Sequence, residues 1–285
     1  MIIPLKNKLH CLCIALIILS CNHRFNESSS KTISLFNNKD LSNWDVYIGP
    51  GLDSTGKHRQ DIPALGLNPA QNYFVVAEID GKKAIHITGE RFGGISTKDE
   101  YENYHFQCKF KWGTHKYPPK DKSKMDSGIL YHAVGPHGVD WGFWMRSQEF
   151  QIQEHDCGEY WGLDRASLDI HASKNEKGDY TFDPKGELYT FNVDNKVGRH
   201  CFRSIDADLP TGQWNTIDLY CFGGTAVHMV NGKVNLIGLN SRYIKNGVEV
   251  PLTKGKIQIQ SEGAEIYYTD LTIKKIDKLP EGIMQ

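Results

Sequence analysis

Several things this chain lacks narrow the field before any motif is read. No block of lysine and arginine runs along it, and 33 basic against 34 acidic side chains leave a formal net charge of −1. That is not the footprint of a protein that grips phosphate backbones, so nucleic-acid binding is disfavoured. The cysteines form no C-x-x-C pair, so a zinc ribbon or thioredoxin-type site is not suggested. There is no G-x-G-x-x-G, no Walker loop, no H-E-x-x-H and no G-x-S-x-G elbow. Nor does any segment carry a 3.6-residue apolar stripe of helical length, so helices should be short and peripheral.

The N-terminus is the first positive signal. Lys6 and Lys8 precede an apolar run from Cys11 to Leu19, followed by Ser20 and Cys21. The run is too short to span a bilayer as a helix. A basic start, a short apolar stretch and a small residue at its end describe a secretory signal over residues 1–20. Ile18-Leu19-Ser20-Cys21 also resembles a bacterial lipobox, which makes Cys21 the expected lipidation site and mature N-terminus. Loss of residues 1–20 would shift the charge to −3. Acyl chains would then hold the protein to a membrane without a spanning segment. The expected location is the bacterial cell envelope, with Asn22 favouring the outer membrane. Residues 21–32 read as a polar, Ser-rich tether. Cys108, Cys157, Cys201 and Cys221 remain; in an oxidising envelope one or two disulfides are expected, with buried thiols as the alternative.

From 33 to 277 the chain reads as one all-β domain. Twenty-seven glycines and 13 tyrosines fit many short strands. Strands are expected at Tyr73–Ile79, Ala84–Thr88, Tyr104–Trp112, Gly128–His132, Glu149–His155, Trp214–Phe222, Ala226–Val230, Lys233–Ile237, Lys256–Ser261 and Ile266–Ile276. Asp80-Gly81 and Asn231-Gly232 mark tight hairpins. Many short strands between turn clusters imply a sandwich or jelly roll. Three long irregular stretches interrupt them: Gly49–Asn72, Thr114–Met125 and Cys157–His200. The last is expected to fold over the sandwich and wall a site.

Alternation supplies the candidate site. In Glu149–His155, Phe150 and Ile152 take one face while Glu149, Gln151, Gln153 and His155 take the other. Gln258, Gln260 and Glu262 alternate likewise with Ile257 and Ile259, and His132 shares a face with Gly128 and Leu130. Converging on one sheet, these groups would line a cleft of carboxylates, amides and imidazoles suited to a polyhydroxylated ligand. Trp141, Trp144 and Trp161 could stack on sugar rings or simply be buried. The spacing Glu149-x-Gln151-x-x-Glu154 resembles the E-x-D-x-x-E of jelly-roll glucanases with the central acid replaced. A regular strand puts Glu149 and Glu154 on opposite faces, which argues against a double-carboxylate mechanism.

Leu35-Phe36-Asn37-Asn38-Lys39-Asp40-Leu41-Ser42-Asn43-Trp44 resembles the "LFNGKDLSGW" opening of the 3-keto-disaccharide hydrolase domain family. Asp126-Ser127-Gly128-Ile129 is similar to its "NSGI", Glu149-Phe150-Gln151-Ile152 to "YEVQI", and Gln213-Trp214-Asn215 to "EWN". Asn231-Gly232 and Gly255-Lys256-Ile257-Gln258-Ile259-Gln260 follow in order, so the resemblance runs from about Ser34 to Ile276. It implies a concanavalin-like jelly-roll β-sandwich with long loop insertions, and cleavage of glycosides oxidised at C3. A ketone there acidifies the C2 proton, so one base, one enolate stabiliser and one acid suffice. Glu149 or His132 is the expected base and His155 the acid. Asp126, Gln151, Gln260, Trp141 and Trp144 are expected on the substrate. A divalent metal held by Glu149 with His132 or His155 is the alternative way to polarise the ketone. A non-catalytic carbohydrate-binding lipoprotein is the competing function.

Overall fold

The computed structural model describes residues 31–284, and the signal segment, most of the tether and Cys21 lie outside them. Among the described residues no segment is helical. Two sheets of 12 and nine strands pack face to face, and every strand ladder is antiparallel. This is the jelly-roll sandwich expected from the strand pattern.

The back sheet follows the order 180–182, 166–174, 233–245, 225–230, 215–222, 104–116, 264–275, 82–87, 74–79. The front sheet runs 200–201, 160–163, 146–153, 126–134, 254–261, 93–97, 44–48, 66–67. Phe106, Cys108, Phe110, Ile217 and Leu219 of the back sheet meet Ile129, Tyr131, Phe150, Ile152, Ile257 and Ile259 of the front sheet in one core. Both hairpin turns form as read. Asp80 and Gly81 adopt φ of 52° and 72° between the paired Ile79 and Lys82. Asn231 and Gly232, at 49° and 78°, close the turn between Val230 and Lys233. Positive φ at both central positions matches the right-handed twist of the flanking strands.

Burial differs between the sheets, and that difference locates the site. Tyr104–Lys116 alternates buried and half-buried residues over its first nine positions, as expected of a sheet with one wet face. Asp126–Val134 is buried at eight successive positions, and Arg146–Gln153 at six. The polar side of the front sheet is therefore covered rather than solvated. Its cover comes from residues 49–65 and 135–145. Trp144 Nε1 donates to Gly93 O at 3.0 Å, Met145 N to Gln258 Oε1 at 3.0 Å, and His137 Nε2 meets Ser96 Oγ at 3.1 Å.

Three expectations need correction. Cys157–His200 is not an irregular flap: it contains the strands 160–163, 166–174, 180–182 and 187–191, which lengthen both sheets. Leu168, Ile170 and Ala172 alternate inward there with Tyr160, Phe191 and Leu236 to form a second core, a period-two signal masked by the surrounding turn residues. The strand expected at Lys233–Ile237 continues to Lys245. Cys108, Cys157, Cys201 and Cys221 are all free and buried, with no disulfide. Burial pushes their thiols up, Cys221 to about 12, so they behave as small core residues.

Candidate functional site

Register explains why the polar groups meet. Across the front sheet Glu149 pairs with Leu130 on one side and Trp161 on the other. Gln151 pairs with Gly128, Gln153 with Asp126, and Gln258 with Leu130. Residues in register on neighbouring strands share a face, so Asp126, Gly128, Glu149, Gln151, Gln258, Gln260 and Trp161 look into one hollow. Gly128 is its centre. A Cβ there would lie 2.3 Å from Glu149 Oε1 and 2.4 Å from Gln260 Oε1. Only a residue without a side chain lets those two groups close over the strand.

The carboxyls form a buried set. Asp126 accepts from Lys120 Nζ (2.6 Å), Gln153 Nε2 (2.7 Å) and Gln151 Nε2 (3.2 Å). Lys120, from the stretch 114–125, also pairs with Glu262 at 3.2 Å. Removal from water raises the Asp126 and Glu262 carboxyls, the Asp126 charge raises Glu262 further, and Lys120 opposes both shifts. Glu149 is 5% exposed, and its carboxyl is raised well above the ordinary range by desolvation, then by Glu262 and Asp126, with Arg199 opposing. Beyond Trp161 the same face continues into Glu159 and His200, joined at 2.8 Å, with the His200 ring stacked on Trp161 at 4.1 Å.

A second signature is unspent hydrogen bonding. Gln151 Oε1, Gln258 Nε2, Gln260 Oε1 and Trp161 Nε1 are buried and have no partner. Native interiors rarely leave such atoms unpaired. Four on one face, around a raised carboxyl, describe a surface shaped for a ligand rich in hydroxyls. An aromatic wall borders it: Phe92, Phe143, Trp144 and Leu130 cluster together, and Trp141, 44% exposed, packs on Phe143 at 5.4 Å.

Four of the residues expected in the site thus come together: Glu149, Asp126, Gln151 and Gln260. Trp144 lines the wall, buried and tied to Gly93, while Trp141 presents an open ring. The two histidines do not join. His132 has φ of 51°, which breaks the alternation and turns its ring into the sandwich against Tyr104 and Tyr131, at 5.6 and 5.4 Å. Burial lowers its pKa to about 4. His155 lies past the strand end, which falls at Gln153, in an exposed turn with its Nδ1 on Asp206 at 3.2 Å. The metal pair of Glu149 with either histidine is therefore not assembled. Among the described residues no group of three or more His, Cys, Asp or Glu side chains is arranged to hold a metal ion. Glu154 is also turned aside, accepting from Met125 N at 3.0 Å and Thr211 Oγ1 at 2.7 Å.

Further residues reach the hollow, some of them read from the pattern and some not. Glu262 continues the alternation of Gln258 and Gln260 and was legible as a face residue. Trp161 lies in the overlooked strand 160–163, and Glu159 immediately precedes that strand. Lys120, Asp140 and Arg199 come from turns, where no period marks them.

Residues 31–274 match the 3-keto-alpha-glucoside-1,2-lyase-like domain. The chain belongs to that family. Membership makes it a carbohydrate-processing domain, and it agrees with the resemblance read from the ordered motifs. No protein of curated function matches the sequence. Among solved structures, two of a candidate glycosyl hydrolase from Parabacteroides distasonis are similar at 17% and 18% identity. Each aligns over 86% of this chain, covering 94% and 100% of the other, with TM-scores of 0.44 and 0.46. Domain 4 of an extracellular arabinanase from Geobacillus stearothermophilus, solved with arabinotriose, is 13% identical over 90% of this chain and 96% of that one, with a TM-score of 0.42.

Proposed function

We propose that this domain cleaves 3-keto-glycosides by removing the C2 proton and eliminating the group at C1. The single observation that carries the reading is the hollow around Gly128: one desolvated carboxyl, Glu149, facing amide atoms that have no partner within the protein. Family membership supports the substrate class.

The chemistry needs little. A carboxylate withdrawn from water and flanked by other acids binds a proton more tightly than an ordinary glutamate, which suits a base working near neutral pH. Glu149 takes the C2 proton. The C–H electron pair forms the C2=C3 bond of an enolate, and charge moves to the C3 oxygen. As that carbonyl re-forms, the electrons make C1=C2 and expel the C1 oxygen, which needs a proton. Glu262, held protonated by its burial and by Asp126, takes the acid role first expected of His155. Addition of water across the enone completes a net hydrolysis. Gln151, Gln258 and Gln260 hold the remaining hydroxyls, and Trp161 or Trp141 supplies a stacking face.

The test is to incubate the protein with a panel of 3-keto-glucosides and their unoxidised parents, following aglycone release. Release from the keto compounds alone, abolished in Glu149→Gln while ligand affinity stays within a few-fold, is the expected result. Tight binding without release from any of them favours the carbohydrate-binding alternative. The reading also keeps a lipid anchor at Cys21 and an envelope location; incorporation of a fatty-acid analogue that is lost in Cys21→Ser tests it.

A further inference from the structure

An enolate oxygen is stabilised by hydrogen-bond donors aimed at it, most strongly by a charged one, and the cations near the hollow differ in how they are held. Lys120 is engaged by Asp126 and Glu262 at once. Arg203 is shared among Glu159, Asp156 and the carbonyl of His155. Arg91 is also bonded at one end only, through Nη2 to Gly49 O at 2.8 Å, but among the described residues no carboxylate aims it and its Nε is buried without a partner.

Arg199 differs. Its Nη1 bonds Asp140 Oδ2 at 2.9 Å, and no other N–H of the guanidinium has a hydrogen-bond partner among the described residues. Asp140 is 7% exposed and is itself fixed, accepting Asp164 N at 2.7 Å through the same oxygen. The guanidinium carbon sits 5.6 Å above the Trp161 ring, and Trp161 is the cross-strand partner of Glu149. The side chain is 34% exposed, so its free edge is open to solvent and to a ligand. Its charge is felt by both Glu149 and Glu262.

We propose that Arg199, aimed by Asp140, is the catalytic group that receives the enolate oxygen when Glu149 removes the C2 proton. The inference rests on the elimination reading and adds the electrophile that reading lacks. A guanidinium whose planar fork is clamped at one end and open at the other needs no reorganisation as charge develops, which is what makes such a donor effective. In the step itself the C2 proton passes to Glu149, the electron pair enters C2=C3, and the negative oxygen at C3 accepts from the free N–H groups. No oxidant, reductant or further reactant is consumed.

The step is observable without glycoside cleavage. In D₂O, methyl 3-keto-α-glucoside should lose its C2 proton signal in the presence of the wild-type protein. Arg199→Ala should slow that exchange by about 100- to 1,000-fold, the loss typical of removing one preorganised oxyanion donor. Affinity for methyl α-glucoside, which cannot form an enolate, should stay within a few-fold, and guanidinium chloride should restore at least tenfold of the exchange. Exchange within threefold of wild type overturns the role of Arg199. So does a loss that guanidinium does not rescue, or one accompanied by lost affinity for the unoxidised glycoside. A wild-type protein that exchanges no C2 proton overturns the elimination reading itself, and this inference with it.

Discussion

Glu149→Gln should cost the protein its activity and make it more stable. The wild-type carboxyl is 5% exposed and faces Glu262 and Asp126. Its folded-state proton affinity is raised, so its contribution is favourable while protonated, below the ordinary glutamate value of 4.5. That contribution is lost as pH rises through the elevated folded value. At pH 7 the native state therefore carries an ionisation cost, met as a buried charge or as a held proton, that an isosteric amide would not. The amide also adds a donor beside Gln260 Oε1, a buried acceptor without a partner, across the gap that Gly128 leaves open. Relief of one desolvated, unpaired group corresponds to about 1–3 kcal/mol. For a domain of this size that is a rise in Tm of roughly 2–10 °C. At pH 4, where the wild-type carboxyl is protonated, most of the charge-related gain should vanish. Calorimetry of both proteins at the two pH values makes the comparison. A variant less stable than wild type at pH 7, or one whose gain is as large at pH 4 as at pH 7, would refute the assignment of a strained carboxylate.

Gly128→Ala places a methyl group 2.3 Å from Glu149 Oε1 and 2.4 Å from Gln260 Oε1; turnover should fall at least about 100-fold and stability by about 1–3 kcal/mol, read by kinetics and urea denaturation. Lys120→Met strands the Asp126 carboxylate, 2.6 Å from the ammonium; a loss of about 3 kcal/mol at pH 7 is expected, shrinking at lower pH as Asp126 takes up a proton. The turnover profile should be bell-shaped, with the acid limb above the ordinary glutamate range because the base must be ionised and its proton affinity is raised. His228 is buried, with Tyr131 Oη at 3.0 Å on Nε2 and Gly158 O at 3.1 Å on Nδ1, and its pKa is lowered to about 4. Its stabilising contribution is complete above pH 6.5 and is lost as pH falls towards 4, about 3 kcal/mol in all; His228→Gln should flatten the dependence of Tm on pH between those values.

Local sequence decided whatever depends on the pleat. Successive side chains point to opposite faces, so Phe150 and Ile152 had to part from Glu149 and Gln151, and Ile257 and Ile259 from Gln258 and Gln260. The all-β class, two hairpin turns and the polar face of two strands follow from that periodicity, and the ordered motifs carried the family. His132 shows the limit of such reasoning. One residue at positive φ reversed the alternation, and side-chain identity alone does not reveal where a strand will bulge. His155 was lost to a strand that ends two residues earlier than the pattern allowed.

Tertiary structure decided the rest, because the remaining properties belong to groups distant along the chain. The polar face of the front sheet is covered, and not a wet surface, only because residues 49–65 and 135–145 lie across it. Glu149 is a raised acid because the fold takes it out of water and sets Glu262, more than a hundred residues away, beside it. Lys120, Asp140 and Arg199 sit on turns that carry no period, and their roles arise from where those turns are pinned. The four cysteines remain thiols because each is buried in a core that leaves none of them paired. Burial and charge proximity are sums over neighbours in space, and a sequence specifies neighbours only along the chain.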